Sequence, residues 1–218
     1  MTDTLLPQRF LFRFAAPCRY REKLWTNEGV ALDESFRLPV LAELEGRPQF
    51  ADVRAAWNRQ GLAFVVVVEP KRMKPWCRRE QPDDSDGLHL WIDTRDVHNV
   101  HRATRFCHQL YLLPAGGGAK HEQPVAGSVI IHRAQANARA VVPDELKLLA
   151  SVGKDGYRLD AFIPAEALTG FEPDEHPRLG FQYAVKDREL GTQTFAAGAP
   201  LPYDEDPSLW ATLELKGK

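Results

Sequence analysis

The alternation of hydrophobic and polar residues is clearest between Ser85 and Leu113, where it predicts a strand, a polar loop and a second strand. In the first run, aliphatic residues alternate with polar and aromatic ones: Leu88, Leu90 and Ile92 against His89, Trp91 and Asp93. In the second run, only His108 interrupts the apolar positions, which are Phe106, Leu110 and Leu112. We expect one face of this hairpin to lie in the core, and a buried His108 to be neutral, hydrogen-bonded and structural.

The same two-residue period recurs along most of the chain from Phe36 onwards. Residues 62–69 (LAFVVVVE) are too apolar for an edge and predict an inner strand. The GKDG segment at 153–156 is typical of a hairpin turn, and Pro164 predicts one short helical turn. Many short strands with frequent turns and almost no helical period predict an all-β fold, an antiparallel β-sandwich of the jelly-roll or immunoglobulin-like type.

The start of the chain has a less regular pattern. Phe10, Phe12 and Phe14 alternate with Leu11 and Arg13, which predicts a short edge strand ended by Ala15, Ala16 and Pro17. We therefore expect residues 1–35 to form an N-terminal extension that packs on one domain, residues 36–218. With 218 residues, 44% of them hydrophobic, the chain has ample material for such a core.

Charge and cysteine content narrow the classes of function. A formal net charge of −2 gives no electrostatic reason to expect nucleic acid or an anionic membrane as partner, and residues 62–68, the longest apolar run, are too short to span a bilayer. The N-terminus lacks the features of a signal peptide, so we expect a cytoplasmic protein, or a secreted one if the start is misassigned or processed. Three cysteines, Cys18, Cys77 and Cys107, favour thiols over a disulfide frame. The oligomeric state stays open.

Two polar segments around the predicted hairpin carry the candidate chemistry. Its loop, residues 94–104, is dense in charged and titratable groups: Arg95, Asp96, His98, Asn99, His101 and Arg102. The preceding loop, Lys71 to Gly87, is long, charged and proline-rich, and it holds Trp76. Long loops without secondary structure are often functional, so Trp76 either stacks on a ligand or packs against the sandwich.

The order of these segments resembles the family 9 carbohydrate-binding modules and the wider DOMON-like sandwiches over residues 36–215. The resemblance rests on WNRQGLAFVVVVE, a loop with Pro-Trp, SDGLHLWIDTRD, LLPAGGG, DGYRLDAFIPAEAL, LGFQYAVKDRE and SLWATLEL. It implies a sugar held between two tryptophans. Trp76 stands at the first of these places and Phe195 at the second. It also implies an acidic residue, matched by Asp86, and a basic one, matched by Arg102 or Arg105.

The residue types point to the same chemistry. Sugars present apolar ring faces fringed with hydroxyls, so their sites combine aromatic platforms with planar hydrogen-bonding groups. We expect a non-catalytic domain that binds a carbohydrate or another small polar ligand through Trp76, Asp86, Trp91, Arg95, Asp96, Arg102, Arg105 and Phe195. Structural roles are the alternative for several of these residues. Asp93, Arg95 and Asp96 could stabilise the turn, Trp91 could cover a sheet face, and Arg105 could pair with Asp160.

Two other classes of function stay open. Some DOMON-like domains bind haem through a methionine and a histidine, and Met73 is the only internal methionine. A hydrolytic enzyme could use the loop with His98 and His101. A metal or acid–base set could consist of His98, His101 and His108 with Asp93 and Asp96, although the spacing is not specific. The family 9 modules also bind calcium, but the chain has no carboxylate set with convincing ligand spacing. We therefore expect no required metal and no cofactor.

Overall fold

The computed structural model describes residues 14–40, 49–198 and 201–217, which form eleven strands and short 3₁₀ turns. In chain order the strands are β1 Ala15–Tyr20, β2 Ala51–Asn58, β3 Gly61–Val68, β4 Gly87–Asp93, β5 Cys107–Gly117, β6 Gln123–Val129, β7 Lys147–Val152, β8 Tyr157–Pro164, β9 Arg178–Asp187, β10 Gly191–Thr194 and β11 Ala211–Lys216. The 3₁₀ turns are Glu34–Phe36, Pro82–Asp84, Pro143–Glu145, Ala165–Ala167 and Pro207–Leu209. Within these ranges, no helix has the length and apolar character needed to cross a membrane.

The strands form one continuous sheet that folds back on itself. Their order is β6-β5-β4-β9-β11-β1-β2-β3-β8-β7, and β10 pairs with the end of β9. The two halves enclose the main core, where Phe64 of β3 stacks on Phe181 of β9 with ring centroids 6.0 Å apart. This architecture confirms the predicted all-β sandwich. One detail differs from the prediction, because β1 runs parallel to both of its neighbours.

The N-terminal part of the chain is integrated into the sheet. β1 lies between β11 and β2, so it occupies an inner position rather than an edge. The strand predicted around residues 10–14 falls largely outside the described residues, and Ala15 and Pro17, which were expected to end it, belong to β1. Residues 24–36 then cover the outer side of β2 and β3 with Leu24, Val30, Leu32 and Phe36. The described part of residues 1–35 therefore completes both the sheet and a second small core.

The apolar run of β3 is explained by burial on both of its faces. Phe64 and Val66 point into the main core, whereas Ala63 and Val65 pack against the N-terminal cover. β3 also has hydrogen-bonded neighbours on both sides, β2 and β8, which confirms the predicted inner strand. The GKDG turn between β7 and β8 is likewise confirmed, with the Gly153 amide donating to the Gly156 carbonyl at 2.9 Å.

The outer face of β4, β5 and β9 is covered as well, and this cover shapes the candidate site. Trp91 of β4 and Ala184 of β9 pack there with Trp210 and Ile131 from the long connections. Gln182 of β9 fixes part of the cover, since its amide donates to the Ala197 carbonyl and accepts from the Ala196 amide. The sheet face that the sequence alternation predicts to be polar and aromatic, that of Trp91, is therefore covered by loops.

Phe195 fills the main core instead of lying at a ligand surface. Its side chain is 0% exposed, and its ring centroid lies 5.0 Å from Phe14, 5.1 Å from Phe181 and 5.4 Å from Tyr183. The second aromatic position implied by the family resemblance is thus a packing position in this fold.

Truncation of this ring provides a stability test. Phe195→Ala should lower the free energy of unfolding by about 3–5 kcal/mol because it removes buried apolar surface and leaves a cavity. Ile130→Ala is the control, since Ile130 is 70% exposed and should change stability little. Urea denaturation measures both. A loss below about 1 kcal/mol in Phe195→Ala would contradict its placement in the core.

Candidate functional site

A buried ion cluster anchors the loop between β3 and β4 to the end of β9. The Lys71 ammonium lies 2.8 Å from Asp187 Oδ2 and 3.4 Å from Asp86 Oδ2, and all three side chains are at most 2% exposed. The partly exposed carboxylate of Glu189 lies 3.9 Å from the same ammonium. The cluster contains more carboxylates than ammonium groups. Lys71 supplies the positive charge that offsets part of the free-energy cost of burying the carboxylates.

Asp86 positions backbone segments through this cluster. Its carboxylate accepts hydrogen bonds from the backbone amides of Trp76 at 2.9 Å and Arg188 at 2.8 Å. Asp187 does the same for the following turn, since its Oδ1 accepts from the amides of Glu189 and Leu190. Asp86, predicted to bind ligand, is therefore buried and fixes the loop that carries Trp76.

Trp76 is half-buried, and cations lie over its ring. The guanidinium carbon of Arg188 lies 3.7 Å from the ring centroid, and that of Arg78 lies 4.4 Å away. Such contacts are cation–π interactions, which are stronger for tryptophan than for other aromatic residues. A sugar that stacked on a covered face would have to displace a guanidinium group. The role of Trp76 in ligand binding remains a prediction.

A small cleft lies over the outer face of β4, β5 and β9, and we call it the indole cleft. Its base is formed by Trp91 of β4, Gln109 of β5 and Lys186 of β9. Asp83 borders it from the loop before β4, and residues 203–205 border it from the connection before β11. The cleft measures about 190 Å³, a volume suited to one sugar ring rather than to a long chain.

The polar groups of the indole cleft are only partly satisfied. Lys186 donates to the Asp83 backbone carbonyl at 2.6 Å, and Gln109 donates to the Asp83 carboxylate at 3.2 Å. Burial lowers the pKa of Lys186, and the nearby carboxylates of Asp83 and Asp204 oppose that shift. Trp91 is 1% exposed, yet its indole N–H has no hydrogen-bond partner among the described residues. A buried donor of this kind is costly unless something supplies an acceptor.

Segments distant in sequence hold the cleft in shape. Tyr203 meets the Trp91 ring edge-on, with centroids 5.3 Å apart. The Tyr203 carbonyl in turn accepts a hydrogen bond from the indole N–H of Trp210 at 2.7 Å. Trp91 therefore covers the sheet face, which is the structural alternative considered for it, and it also lines the cleft.

The predicted arginines lie elsewhere. Arg95 and Arg105 both approach the ring of Phe106, at 4.4 Å and 4.9 Å from its centroid, and all three residues line a second cleft of about 640 Å³. Arg95 also pairs with Glu172 at 3.1 Å. Arg102 donates to a backbone carbonyl, that of Arg133, at 2.8 Å. The structure thus separates these arginines from Trp76 and Trp91.

Asp93 and Asp96 stabilise the turn after β4. Asp93 accepts from the amides of Arg95 at 3.0 Å and Val97 at 2.8 Å. Asp96 adopts a positive φ of 51° and binds the guanidinium of Arg178 at 2.9 Å. This is the turn-stabilising alternative considered from the sequence.

The proposed partnership of Arg105 with Asp160 is wrong. The Asp160 carboxylate instead pairs with Arg158 at 2.8 Å and accepts from the amide of Val30 at 3.0 Å.

The histidines of the hairpin loop contact carboxylates. His98 Nε2 lies 3.0 Å from Asp96 Oδ1. His101 Nδ1 lies 3.0 Å from Asp206 and 3.1 Å from the Ser208 hydroxyl. Because serine and aspartate contact the same ring nitrogen, this trio cannot pass a proton between them as a catalytic triad does.

Two further side-chain sets bear on the metal and haem alternatives. Glu172, Glu175 and His176 bring their ligand atoms within 4.8 Å of one another on the surface, although Glu172 already pairs with Arg95. Met73 is 54% exposed, in the loop between β3 and β4. Neither the Glu172, Glu175 and His176 group nor Met73 lines the indole cleft.

Sequence reasoning missed most polar residues of the indole cleft. Lys186 lies on the outer face of β9, and Asp83, Asp204 and Glu205 come from loops more than 100 residues apart. The available signal was a pair of acidic segments, PDD at 82–84 and DED at 204–206. Only the topology shows that these segments border one cleft.

Comparison with solved structures places this fold. A family 9 carbohydrate-binding module from Caldicellulosiruptor kristjanssonii in complex with cellotriose matches with a TM-score of 0.62 and 13% identity, over 94% of this chain and 95% of that chain. A complex of a family 9 module from the same organism with glucose matches with a TM-score of 0.61 and 13% identity, over 94% and 97%. No protein-family model and no curated protein sequence matches the chain. The fold is that of the family 9 modules, as the sequence resemblance indicated.

The ion cluster predicts a large cost for removing its cation. Lys71→Met keeps most of the buried aliphatic stem but leaves Asp86 and Asp187 without their counter-charge. The free energy of unfolding should therefore decrease by about 3–5 kcal/mol. Lys74→Met, at an exposed position of the same loop, is the control. Adding Asp187→Asn to Lys71→Met should recover part of the loss. Equal stability of Lys71→Met and the parent in urea denaturation would show that the cluster contributes nothing.

Two buried histidines predict a dependence of stability on pH. Burial lowers the pKa of His108 from 6.5 to about 4 and that of His89 from 6.5 to about 3. Below pH 6.5 the unfolded chain binds these protons and the folded chain does not, so stability is complete above that pH and falls as pH decreases. Each histidine should contribute a slope of about 1.4 kcal/mol per pH unit.

The variant His108→Leu removes the contribution of one histidine to the dependence of stability on pH. Between pH 7 and pH 5 the parent should lose roughly 2 kcal/mol more stability than this variant, because the variant has one proton fewer to take up when it unfolds. Ile130→Ala, at an exposed position without a titratable side chain, should retain the parental slope. Urea denaturation at several pH values gives the comparison, and parallel pH profiles for the parent and His108→Leu would contradict the prediction.

Proposed function

We propose that this chain, which has the fold of the family 9 carbohydrate-binding modules, is a non-catalytic domain that binds a carbohydrate in the indole cleft. The observation that carries the proposal is the indole N–H of Trp91, a buried donor without a partner among the described residues. Trp91 lines the cleft together with an amide, an ammonium and carboxylates, those of Gln109, Lys186, Asp83, Asp204 and Glu205. Sugar hydroxyls both donate and accept hydrogen bonds, so one sugar ring could engage all of these groups.

The size and lining of the cleft support this assignment. Small-molecule sites combine apolar or aromatic surface with a few fixed polar groups, and Trp91, Tyr203 and Val129 supply the apolar part here. The polar base is rigid, because Gln109 and Lys186 lie on paired strands rather than on free loops. Solved proteins of the same fold were crystallised with glucose and with cellotriose. Glucose and cellotriose are therefore the first ligands to test.

The tryptophan and arginine recognition expected from the sequence fits a wider surface. Trp76 and Arg188 belong to the loops tied together by the Lys71 cluster, and Asp83 of the same loop borders the cleft. We propose that Trp76 contacts sugar beyond the first ring, in exchange for one of its guanidinium contacts. Arg95, Arg102 and Arg105 have no part in this proposal, since they surround Phe106 or bind backbone outside the cleft.

Binding can be tested by calorimetric titration and by thermal shift with glucose and cellotriose. A ligand that binds only the folded state raises the melting temperature by mass action. Gln109→Leu should weaken binding by about 0.5–1.5 kcal/mol, the value of one hydrogen bond. Arg105→Ala, in the second cleft, is the matched control and should bind as the parent does.

Three results would count against the proposal in different ways. If Arg105→Ala loses binding while Gln109→Leu retains it, the second cleft is the site. If Trp76→Ala alone loses binding, the ligand lies on the loop between β3 and β4. If neither glucose, cellotriose nor any other mono- or oligosaccharide in a broad screen binds the parent, the carbohydrate function itself is overturned.

A further inference from the structure

Two acidic segments, one on each side, border the indole cleft. Asp83 comes from the 3₁₀ turn before β4, and Asp204 and Glu205 come from the connection before β11. Lys186 is the only lysine or arginine among the lining residues. The described lining therefore holds three carboxylates, one ammonium and the imidazole of His132, which contacts Glu205, so carboxylates outnumber the ammonium group.

These charges are poorly compensated by the surrounding chain. Glu205 pairs with His132 at 2.8 Å, but Asp83 and Asp204 make no salt bridge with any described residue. The Lys186 ammonium donates to the Asp83 backbone carbonyl rather than to a carboxylate. Gln109 donates to one oxygen of Asp83, so the other Asp83 oxygen and the exposed Asp204 carboxylate can receive a positively charged ligand.

The base of the cleft points independently to a ligand. Trp91 lines it with 1% of its surface exposed, and its N–H has no acceptor within the described part of the chain. An acceptor oxygen of a bound molecule would satisfy this donor. The lining of the cleft thus combines an unpartnered donor with exposed negative charge.

Resting on the proposed carbohydrate function, we infer that the preferred ligand is an amino sugar with a protonated, unacetylated amine. Its ring oxygen or hydroxyls would accept from the Trp91 indole, and its ammonium group would lie near Asp83 and Asp204. A uronic acid, which carries a carboxylate on the same ring, would be repelled. Neutral hexoses would bind through hydrogen bonds alone.

The magnitude of this preference follows from the partial exposure of the carboxylates. Two opposite charges about 4 Å apart attract by about 1 kcal/mol in water and by more near a protein surface. Glucosamine should therefore bind about tenfold more tightly than glucose at low ionic strength. Salt screens exposed charges, so the preference should decrease between about 0.01 M and 1 M sodium chloride.

Four sugars with one changed group test the inference: glucose, glucosamine, N-acetylglucosamine and glucuronate. Calorimetric titration of the full chain at pH 6.5 should rank glucosamine first and glucuronate last. N-Acetylglucosamine is the control that keeps the nitrogen but removes its charge, so it should lose the advantage of glucosamine. Asp83→Asn combined with Asp204→Asn removes both charges but keeps side chains of similar shape, so the ratio of glucosamine affinity to glucose affinity should fall from about ten to about one.

The outcomes separate this inference from the proposed function. Equal affinities for glucosamine and glucose, or strongest binding of glucuronate, would overturn the preference for an amino sugar and leave carbohydrate binding intact. A preference for glucosamine that persists in the double variant would overturn the assignment to these carboxylates. Failure of all four sugars to bind would overturn the preference, and the carbohydrate function would fall with it only if cellotriose and the broad saccharide screen also gave no binding. Ethanolamine should not compete, because competition would mean that the cleft recognises any small amine rather than a sugar.

Discussion

The arrangement of the candidate site depends on one buried ammonium. Lys71 compensates Asp86 and Asp187, and these carboxylates in turn hold the amides of Trp76, Arg188, Glu189 and Leu190. Burying charges is costly, so a cluster of this kind contributes geometry more surely than net stability. The loop before β4 would otherwise be a long, charged connection with few apolar contacts. Through this cluster it has a defined path, and that path brings Asp83 to the border of the indole cleft.

The second requirement of the site is a cover over a sheet face. The outer sides of β4, β5 and β9 carry Trp91, Gln109 and Lys186, a mixture too polar for a core and too aromatic for open surface. Connections from residues 130–134 and 203–210 close most of this face through Ile131, Tyr203 and Trp210. The indole cleft, a space the size of one sugar ring, lies between these connections. The cleft is therefore an unfilled part of a second packing layer.

Local patterns predicted the fold well and the site only in part. The alternation of apolar and polar residues predicted β4 and β5, and a run of β-branched residues predicted β3. Both patterns depend only on residues that are neighbours in the sequence. The buried position of Phe195 could not be predicted, since a single aromatic residue near a turn has the same local sequence pattern in a core as in a ligand clamp. Arg95 and Arg105 were grouped with Trp91 because they share a hairpin, yet the turn at Asp93 directs them to another cleft. Asp204 and Lys186 were missed because only tertiary contacts bring them near Asp83.

The parallel position of β1 has a consequence for how the protein is made. Among the described strands β1 comes first in the sequence, and its hydrogen-bonded partners are β2 and β11, which comes last. In the described part of the chain, the backbone hydrogen bonds that connect the two halves of the sheet run through β1, so the sheet is not complete until β11 is available to pair with it. Contacts between such distant segments slow folding. Until then the apolar strand β3 stays incompletely covered, and a nascent chain of this type should depend on chaperones during synthesis.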